Sequence, residues 1–429
     1  MPTSAHYTAL AYWQETTSGT GPANAAAWVS NATRVGPIRG SVDVSSIGAD
    51  MVDDERAVDR IYYKQQGQVG IDNPEFPAEF EFESNAATTA DTSAIAVTSQ
   101  MTLMEHCMGG LLLGTSTACA AAGSHTSTAV DMDATTGCDE GTFLAVQIAA
   151  YTRAPTALHV RRVTDLTANV ATVDQAFPAT PADEDEVHAV AQCYVLPSEL
   201  IDSTANNSTL SWLIQRGPTG GVQNWEVVGA KSQLDSISLG RGEIAKFALQ
   251  TFGGSHQDPS DAPSPSWTAE PTLTAPFLVG PDCQLWVEDY GTTTNTLLDC
   301  SAFNITPGLP VSPDDGVTSN TAGMVARNGY TTRSEPTTIE VNSTFTSSAT
   351  DFWNDWAVGQ LKVVRFATVR PAGQNVAFHF SRCQIRKITA VENGDSLHVS
   401  MTLESLEDTY AAAAGNEDLH RSKMTILYY

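Results

Sequence analysis

Phe80 and Phe82 alternate with Glu79, Glu81 and Glu83, and Leu397, Val399, Met401 and Leu403 alternate with His398, Ser400, Thr402 and Glu404. A period of two directs one face of a strand into a core and the other toward solvent or a partner. Similar short runs, bounded by Gly, Pro, Asn and Asp, recur along the chain and predict strands over 144–150, 157–163, 187–195 and 209–215. Asn393-Gly394 predicts a hairpin turn, because both central positions of such a turn need positive φ. Helical spacing is rare. It predicts helices over 98–108 and 350–358, the second N-capped by Thr350-Asp351, with Phe352, Trp353 and Trp356 on one core-facing side. The expected class is mainly β, with packed sheets and a few short flanking helices.

The pattern then repeats. Val42 and Val44 alternate ahead of Asp53-Asp54, and Phe303 and Ile305 alternate ahead of Asp314-Asp315 at the same spacing. A Gly-containing loop without evident strand pattern follows in each case. Each loop ends in Pro-x-x-apolar-Glu-apolar: Pro77, Phe80, Glu81, Phe82, and Pro336, Ile339, Glu340, Val341. A helix candidate comes next, and a Gly-led strand closes each unit (242–252 and 394–404). Five elements in one order indicate two tandem copies of a unit, against the competing reading of two unrelated meanders. The expected organisation is an arm over 1–37, a first unit over 38–254 with an insertion near 111–222, a Pro/Ser linker over 255–274 and a second unit over 275–429.

The chain has 429 residues and a formal charge of −27, which disfavours any surface that grips phosphate backbones. Two readings remain: a surface tuned for solubility, or one that lies beside DNA without adhering. Lys362, Arg365, Arg370, Arg382, Arg386 and Lys387 gather against this trend, and are expected to meet acidic partners across a subunit contact. No apolar run is long enough to span a bilayer, so no membrane association is expected. The N-terminal stretch lacks a basic segment followed by an apolar one, so synthesis and assembly in a cytoplasm are expected. The seven dispersed cysteines predict reduced, mostly buried thiols.

Candidate chemistry is sparse. Gly114-Thr-Ser-Thr-Ala118 lacks the last glycine of a nucleophile elbow, which disfavours a catalytic Ser116. The nine histidines include no H-x-x-x-H, and Asp131, Asp133, Asp139 and Glu140 lack the spacing of a calcium loop. Asp183-Glu-Asp-Glu186 reads as a solvated charge run, and Gly19-Thr-Gly21 is too short for a phosphate loop. The expectation is a non-enzymatic protein without cofactor or metal.

The order of strand, long loop, returning strand, short helix and terminal hairpin resembles the tail tube proteins of long-tailed bacteriophages. The opening YTALAYWQETTSGTGPANAAAWVSN resembles that family's N-terminal arm, and NWEVVGAKSQLDSISLGRGEIAKFALQTFGG resembles the ending of a tube domain. LLDCSAFNITPG, followed by a Gly-bearing loop and a Phe/Trp helix, resembles the start of another. The resemblance implies two tube-like domains per chain whose strands join those of neighbours into an inner barrel. It implies rings that stack into a conduit for DNA, with three two-domain chains forming a pseudohexamer, or six forming a wider ring.

The implied partners are the chain itself and other tail proteins such as the tape measure, tail terminator and baseplate or tip. DNA passes through without specific binding, and the implied location is the virion tail, after assembly in the host cytoplasm. Asp53, Asp54, Tyr62, Tyr63, Asp314, Asp315, Arg327 and Tyr330 are the implied inter-subunit or inter-ring loop residues. Phe80, Phe82, Ile339, Val341, Leu397, Val399 and Met401 mark the implied assembly strands. A capsid decoration protein or minor tail protein is the alternative, and a carbohydrate-active β-protein a more distant one.

Overall fold

The computed structural model describes residues 8–36, 42–45, 47, 49–52, 55–58, 61–64, 68–72, 74–83, 97–114, 117–119, 123–134, 138–151, 158–188, 190–202, 208–217, 222–240, 243–257, 259, 261–267, 283–291, 295–298, 300–314, 318–319, 325–326, 329–344, 349–368, 370, 374–393, 396–408 and 417–429. The fold is mainly β, built from large antiparallel sheets.

One run of five strands places Thr8–Gln14 beside Leu210–Arg216, then Gln223–Gly240, then Lys246–Phe252, then Glu75–Glu81. A second run repeats that order with Cys283–Asp289, Leu361–Thr368, Val376–Asn393, Ser396–Ser405 and Thr337–Thr344. The central strand of each run has 18 residues, and its two halves pair with different neighbours. Each central strand is irregular at the equivalent place, Leu234/Ser236 in one and Ile385/Lys387 in the other. An extra residue there bends and twists the strand, which lets it leave one ladder and join the next.

The registers also fix which residues correspond. Leu249 faces Ala78 and Leu403 faces Ile339, so Phe80 corresponds to Val341 rather than to Ile339. The Pro-x-x-apolar pattern aligned these strands two residues out of step. A shift of two preserves the inward face, so hydrophobicity alone does not detect it.

The runs meet at Cys300–Thr306, which pairs on one side with Thr337–Thr344 and on the other with the end of Gln223–Gly240. Aromatic side chains fill the shared core. Phe80 stacks on Phe247 at 5.0 Å, and Phe82 lies edge-on to Phe378 at 5.4 Å. Phe303 packs on Phe366 at 4.2 Å. Each fully buried Phe contributes about 2 kcal/mol through area removed from water.

Thr98 caps the Ser99–Met108 helix by accepting from the Met101 amide at 3.2 Å, and Gly109 ends it in the left-handed region with φ 95°. The second of the two expected helices, Ala349–Val358, begins one residue before the expected cap, so Asp351 lies in its first turn, where the helix dipole still favours a carboxylate. Phe352 is buried and Trp353 half-buried, but Trp356 is 46% exposed.

Several expectations change. The long loops without strand pattern form narrow ribbons: Ala49–Val52 pairs with Gln68–Asp72, Glu55–Val58 with Ile61–Lys64, and Val311–Asp314 with Gly329–Thr332. A two-stranded ribbon is held by backbone bonds and can leave both faces unburied, so it needs no apolar alternation. Val42–Val44 is not a strand, although Val42 is buried. The run expected over 187–195 divides into Glu186–His188 and Ala191–Val195, which belong to different sheets. In the Pro/Ser linker, Ser255–Gln257 pairs with Glu226–Val228, and the Pro265 carbonyl accepts from Gln215 Nε2.

Within the stretch read as an insertion, residues 117–188 contain a separate six-stranded sheet, whereas Ala191–Val195 and Leu210–Arg216 belong to the large one. One face of the small sheet has its own core, with Met132, Leu144, Val146, Val163 and Phe177. Its other face carries Phe143, Ala145, Leu158 and Val160 against Ala367, Ala377, Leu427 and Tyr429. Both faces are therefore covered, and Leu158–Val163 is buried at every position, without alternation.

Candidate assembly surface

The seam between the two runs has a counterpart that stays open. Ile237, Ser238, Leu239 and Gly240 face Ile305, Asn304, Phe303 and Ala302. Counting from the two bulges, the equivalent residues of the second run are Ile388, Thr389, Ala390 and Val391. Ser396–Ser405 pairs with one edge of this segment, and among the described residues no strand pairs with the other. Thr389 and Ala390 are exposed and Val391 is 44% exposed, whereas Leu239, under its partner strand, is 5% exposed.

A second edge is open in the same sense. Thr337–Thr344 has a strand on both sides, but its equivalent Glu75–Glu81 pairs only with Lys246–Phe252 among the described residues. Unpaired backbone N–H and C=O groups at such edges are templates for another strand. Gln100 secures the end of Glu75–Glu81 by donating to the Glu81 carbonyl at 2.9 Å and the Gly36 carbonyl at 3.2 Å. Burial pushes the neighbouring Glu83 carboxyl up to about 7.

Beside the open Ile388–Val391 edge, Trp356 and Val358 expose apolar surface, Val358 to 76%. Trp356 Nε1 donates to the Arg386 carbonyl at 3.3 Å, and Arg386 pairs with Glu404 at 2.5 Å. Other expected intermolecular cations also have partners within the chain. Lys362 contacts Asp289 and Asp355, Arg365 reaches Asp174 at 2.6 Å, and Arg382 donates to the Glu407 carbonyl at 3.2 Å. The positive cluster is thus largely neutralised internally.

Phe80, Phe82, Ile339, Val341, Val399 and Met401 are all core residues at 2% exposure or less. Their strands offer edges and outer faces for assembly, not these side chains. Leu397 lies in Ser396–Ser405, opposite Glu392. Asp53, Asp54, Asp315 and Arg327 lie outside the described residues. Tyr62 and Tyr63 occupy the Ile61–Lys64 strand, opposite Ala57 and Arg56. Asp314 is exposed at a ribbon end opposite Gly329. Tyr330 is buried, and its hydroxyl donates to the Gly229 carbonyl at 2.5 Å, a bond that ties its ribbon to its own chain.

Gly229 also belongs to an anchor that the sequence did not reveal. Glu15 accepts from the Gly229 amide at 2.8 Å, the Gly19 amide at 2.7 Å, Thr209 Oγ1 at 2.6 Å and Ser211 Oγ at 2.5 Å. The Gly19 amide thus serves a carboxylate of the protein itself. Ser116 lies outside the described residues, and no group of three or more His, Cys, Asp or Glu is placed to hold a metal among those described. No described helix is long and apolar enough to cross a membrane. Cys107, Cys119, Cys193 and Cys383 are buried free thiols, and burial pushes Cys107 up to about 12.

No protein-family model and no curated protein match the chain. Among solved structures, a mutant of the Hcp1 protein from E. coli matches with 13% identity and a TM-score of 0.19, over 29% of this chain and 87% of that one. A likeness of that size carries no functional argument.

Proposed function

We propose that this protein is a structural, non-enzymatic subunit of a tube of the long-tailed bacteriophage tail kind. Three copies form a pseudohexameric ring, and stacked rings form a conduit for DNA. The supporting observation is the contrast between the closed seam at Leu239–Phe303 and the open edge at Ile388–Val391. Within one chain, Cys300–Thr306 bridges the edges of both runs. Its sequence counterpart around Val42–Val44 shares a core with Phe80, whose strand pairs on one side only among the described residues. Repeating the seam between chains would satisfy this edge and the neighbour's Ile388–Val391 edge together. Such a contact is heterologous, so it must close into a ring or continue indefinitely, and six units close with three chains.

The net charge of −27 suits a channel wall that must not retain phosphates. Tape-measure, terminator and baseplate or tip proteins would cap and fill such a tube in the virion tail, after assembly in the host cytoplasm.

Native mass spectrometry and negative-stain microscopy of the full chain test this reading. Three-chain rings or hollow cylinders are expected. Successive strand residues direct their N–H groups to opposite edges, so one of Thr389→Pro and Ala390→Pro removes a donor from the open edge. That variant should remain folded and lose rings. A folded wild-type chain that stays monomeric under all conditions overturns the proposal.

A further inference from the structure

In the second unit, Phe303 and Ile305 lie opposite Val341 and Ile339 on one side, and opposite Leu239 and Ile237 on the other. The registers make Phe80 the counterpart of Val341, and Ala78 that of Ile339. Val42 precedes Phe80 by 38 residues, and Phe303 precedes Val341 by the same 38. Val42, Asp43 and Val44 are thus the counterparts of Phe303, Asn304 and Ile305, with no gap between the copies.

The two segments differ in their backbone partners. Cys300–Thr306 is a strand paired on both sides, whereas Val42–Val44 has no strand partner among the described residues. Its side chains nevertheless alternate as those of a strand do. Val42 is 1% exposed and shares a core with Phe80, Asp43 is exposed, and Val44 is half-buried against that core. The chain then turns, with Asp43 Oδ1 accepting from the Ser45 amide at 2.9 Å and the Val44 carbonyl from the Ile47 amide at 3.1 Å. The Asp43 carboxylate offers the Ser45 amide a local substitute for a ladder bond. Thr306, the counterpart of Ser45, instead faces Thr338 across a ladder. A short strand gains little from a single ladder, and a second ladder shares the same cost of ordering the backbone.

The Ile388–Val391 edge fits this segment in charge and in register. Across chains, the seam register sets Asp43 opposite Thr389, as Asn304 stands opposite Ser238 within the chain. Lys387 is then the diagonal neighbour of Asp43, within reach of a long side chain. Lys387 and Thr389 are both exposed. The counterpart of Lys387 in the first run is Ser236, so the acid and the base meet only on the contact between chains. The bulge at Ile385/Lys387 fixes the register. A slip of two residues would set Val44 against Arg386, which the bulge leaves without an opposite residue and which is exposed.

We propose that Val42–Val44 becomes a strand when it pairs with Ile388–Val391 of a second copy, Val44 opposite Ile388, Asp43 opposite Thr389 and Val42 opposite Ala390. The inference rests on the ring reading above, and adds to it the receiving segment, the register and the conversion of that segment to a strand. One contact then completes the ladder beside Glu75–Glu81 and the edge of the second run together.

Asp43→Cys combined with Thr389→Cys tests the register in the full chain under mild oxidation. Directly opposed residues of antiparallel strands lie about 4.5–5.5 Å apart at Cα, within the span of a disulfide. Non-reducing denaturing gels should show linked dimers and trimers that reductant dissolves. Either single variant should show none, which excludes links through the native cysteines. Asp43→Cys with Lys387→Cys reports the two-residue slip and should link about tenfold more slowly, because diagonal neighbours lie about 7–8 Å apart. In the wild type, amide exchange over 42–44 should slow about tenfold or more on passing from dilute monomer to rings, a readout that needs no substitution. Rings that form without the link, or without slower exchange over 42–44, overturn this inference and leave the ring reading standing. Linking through Lys387→Cys as fast as through Thr389→Cys overturns the register. A chain that forms no ring or tube overturns both readings.

Discussion

Leu239 and Phe303 stand directly opposite each other across the strand pair that joins the two runs. Phe303 is also opposite Val341 on its other side and packs on Phe366 and Phe378. One side chain thus holds both ladders and the core beneath them. Phe303→Ala should cost about 3–5 kcal/mol, read from the denaturant midpoint. A loss below about 1 kcal/mol would show that the seam repacks without it.

Glu15 brings the N-terminal arm, Leu210–Arg216 and Gln223–Gly240 to one carboxylate. Glu15→Gln keeps the volume but turns an NH₂ group toward groups that already donate. The expected cost is about 2 kcal/mol or more, measured by urea unfolding. Release of the arm should raise amide exchange over 8–14 first.

Glu288 gives the interface a pH dependence of known sign. Its carboxyl is raised from an ordinary value of 4.5 to about 8, so its contribution is fully present below 4.5 and is lost as pH rises through about 8. The stability of Glu288→Gln relative to wild type should therefore increase across that window and level off above it. Matched urea titrations at several pH values check this, and a flat difference would contradict the burial of Glu288.

His420 acts in the opposite direction. Burial and the neighbouring Arg162 lower it from 6.5 to about 4, so its contribution is present above 6.5 and is lost as pH falls through about 4. Protonation there and at His379 adds positive charge beside Arg162 and Arg365. Hydrogen exchange at pH 4 should rise over 158–174 before it rises over 231–240, because the small sheet loses its contact ahead of the main core.

Prediction from sequence succeeded where burial is one-sided. Phe80, Val399 and Met401 face inward because period two leaves them no other arrangement, and Thr98 and Gly109 bound their helix through local backbone needs. It found the strand over 157–163, present as Leu158–Thr167, but not that both faces of Leu158–Val163 are covered. It placed Lys362 and Arg365 at an intermolecular contact, because a charge pattern along a chain carries no information about Asp355 or Asp174 folding onto it.

The sequence by itself determined the mainly β class, two of the helices and the net acidity of the chain. Each of these follows from local periodicity, local capping or a sum over residues. Only the tertiary structure decided that Phe80 matches Val341, that Tyr330 is held by Gly229, and that Glu288 and His379 share a cavity. Registers, long-range hydrogen bonds and burial depend on which distant segments meet, and residues far apart in the chain carry no local mark of that meeting.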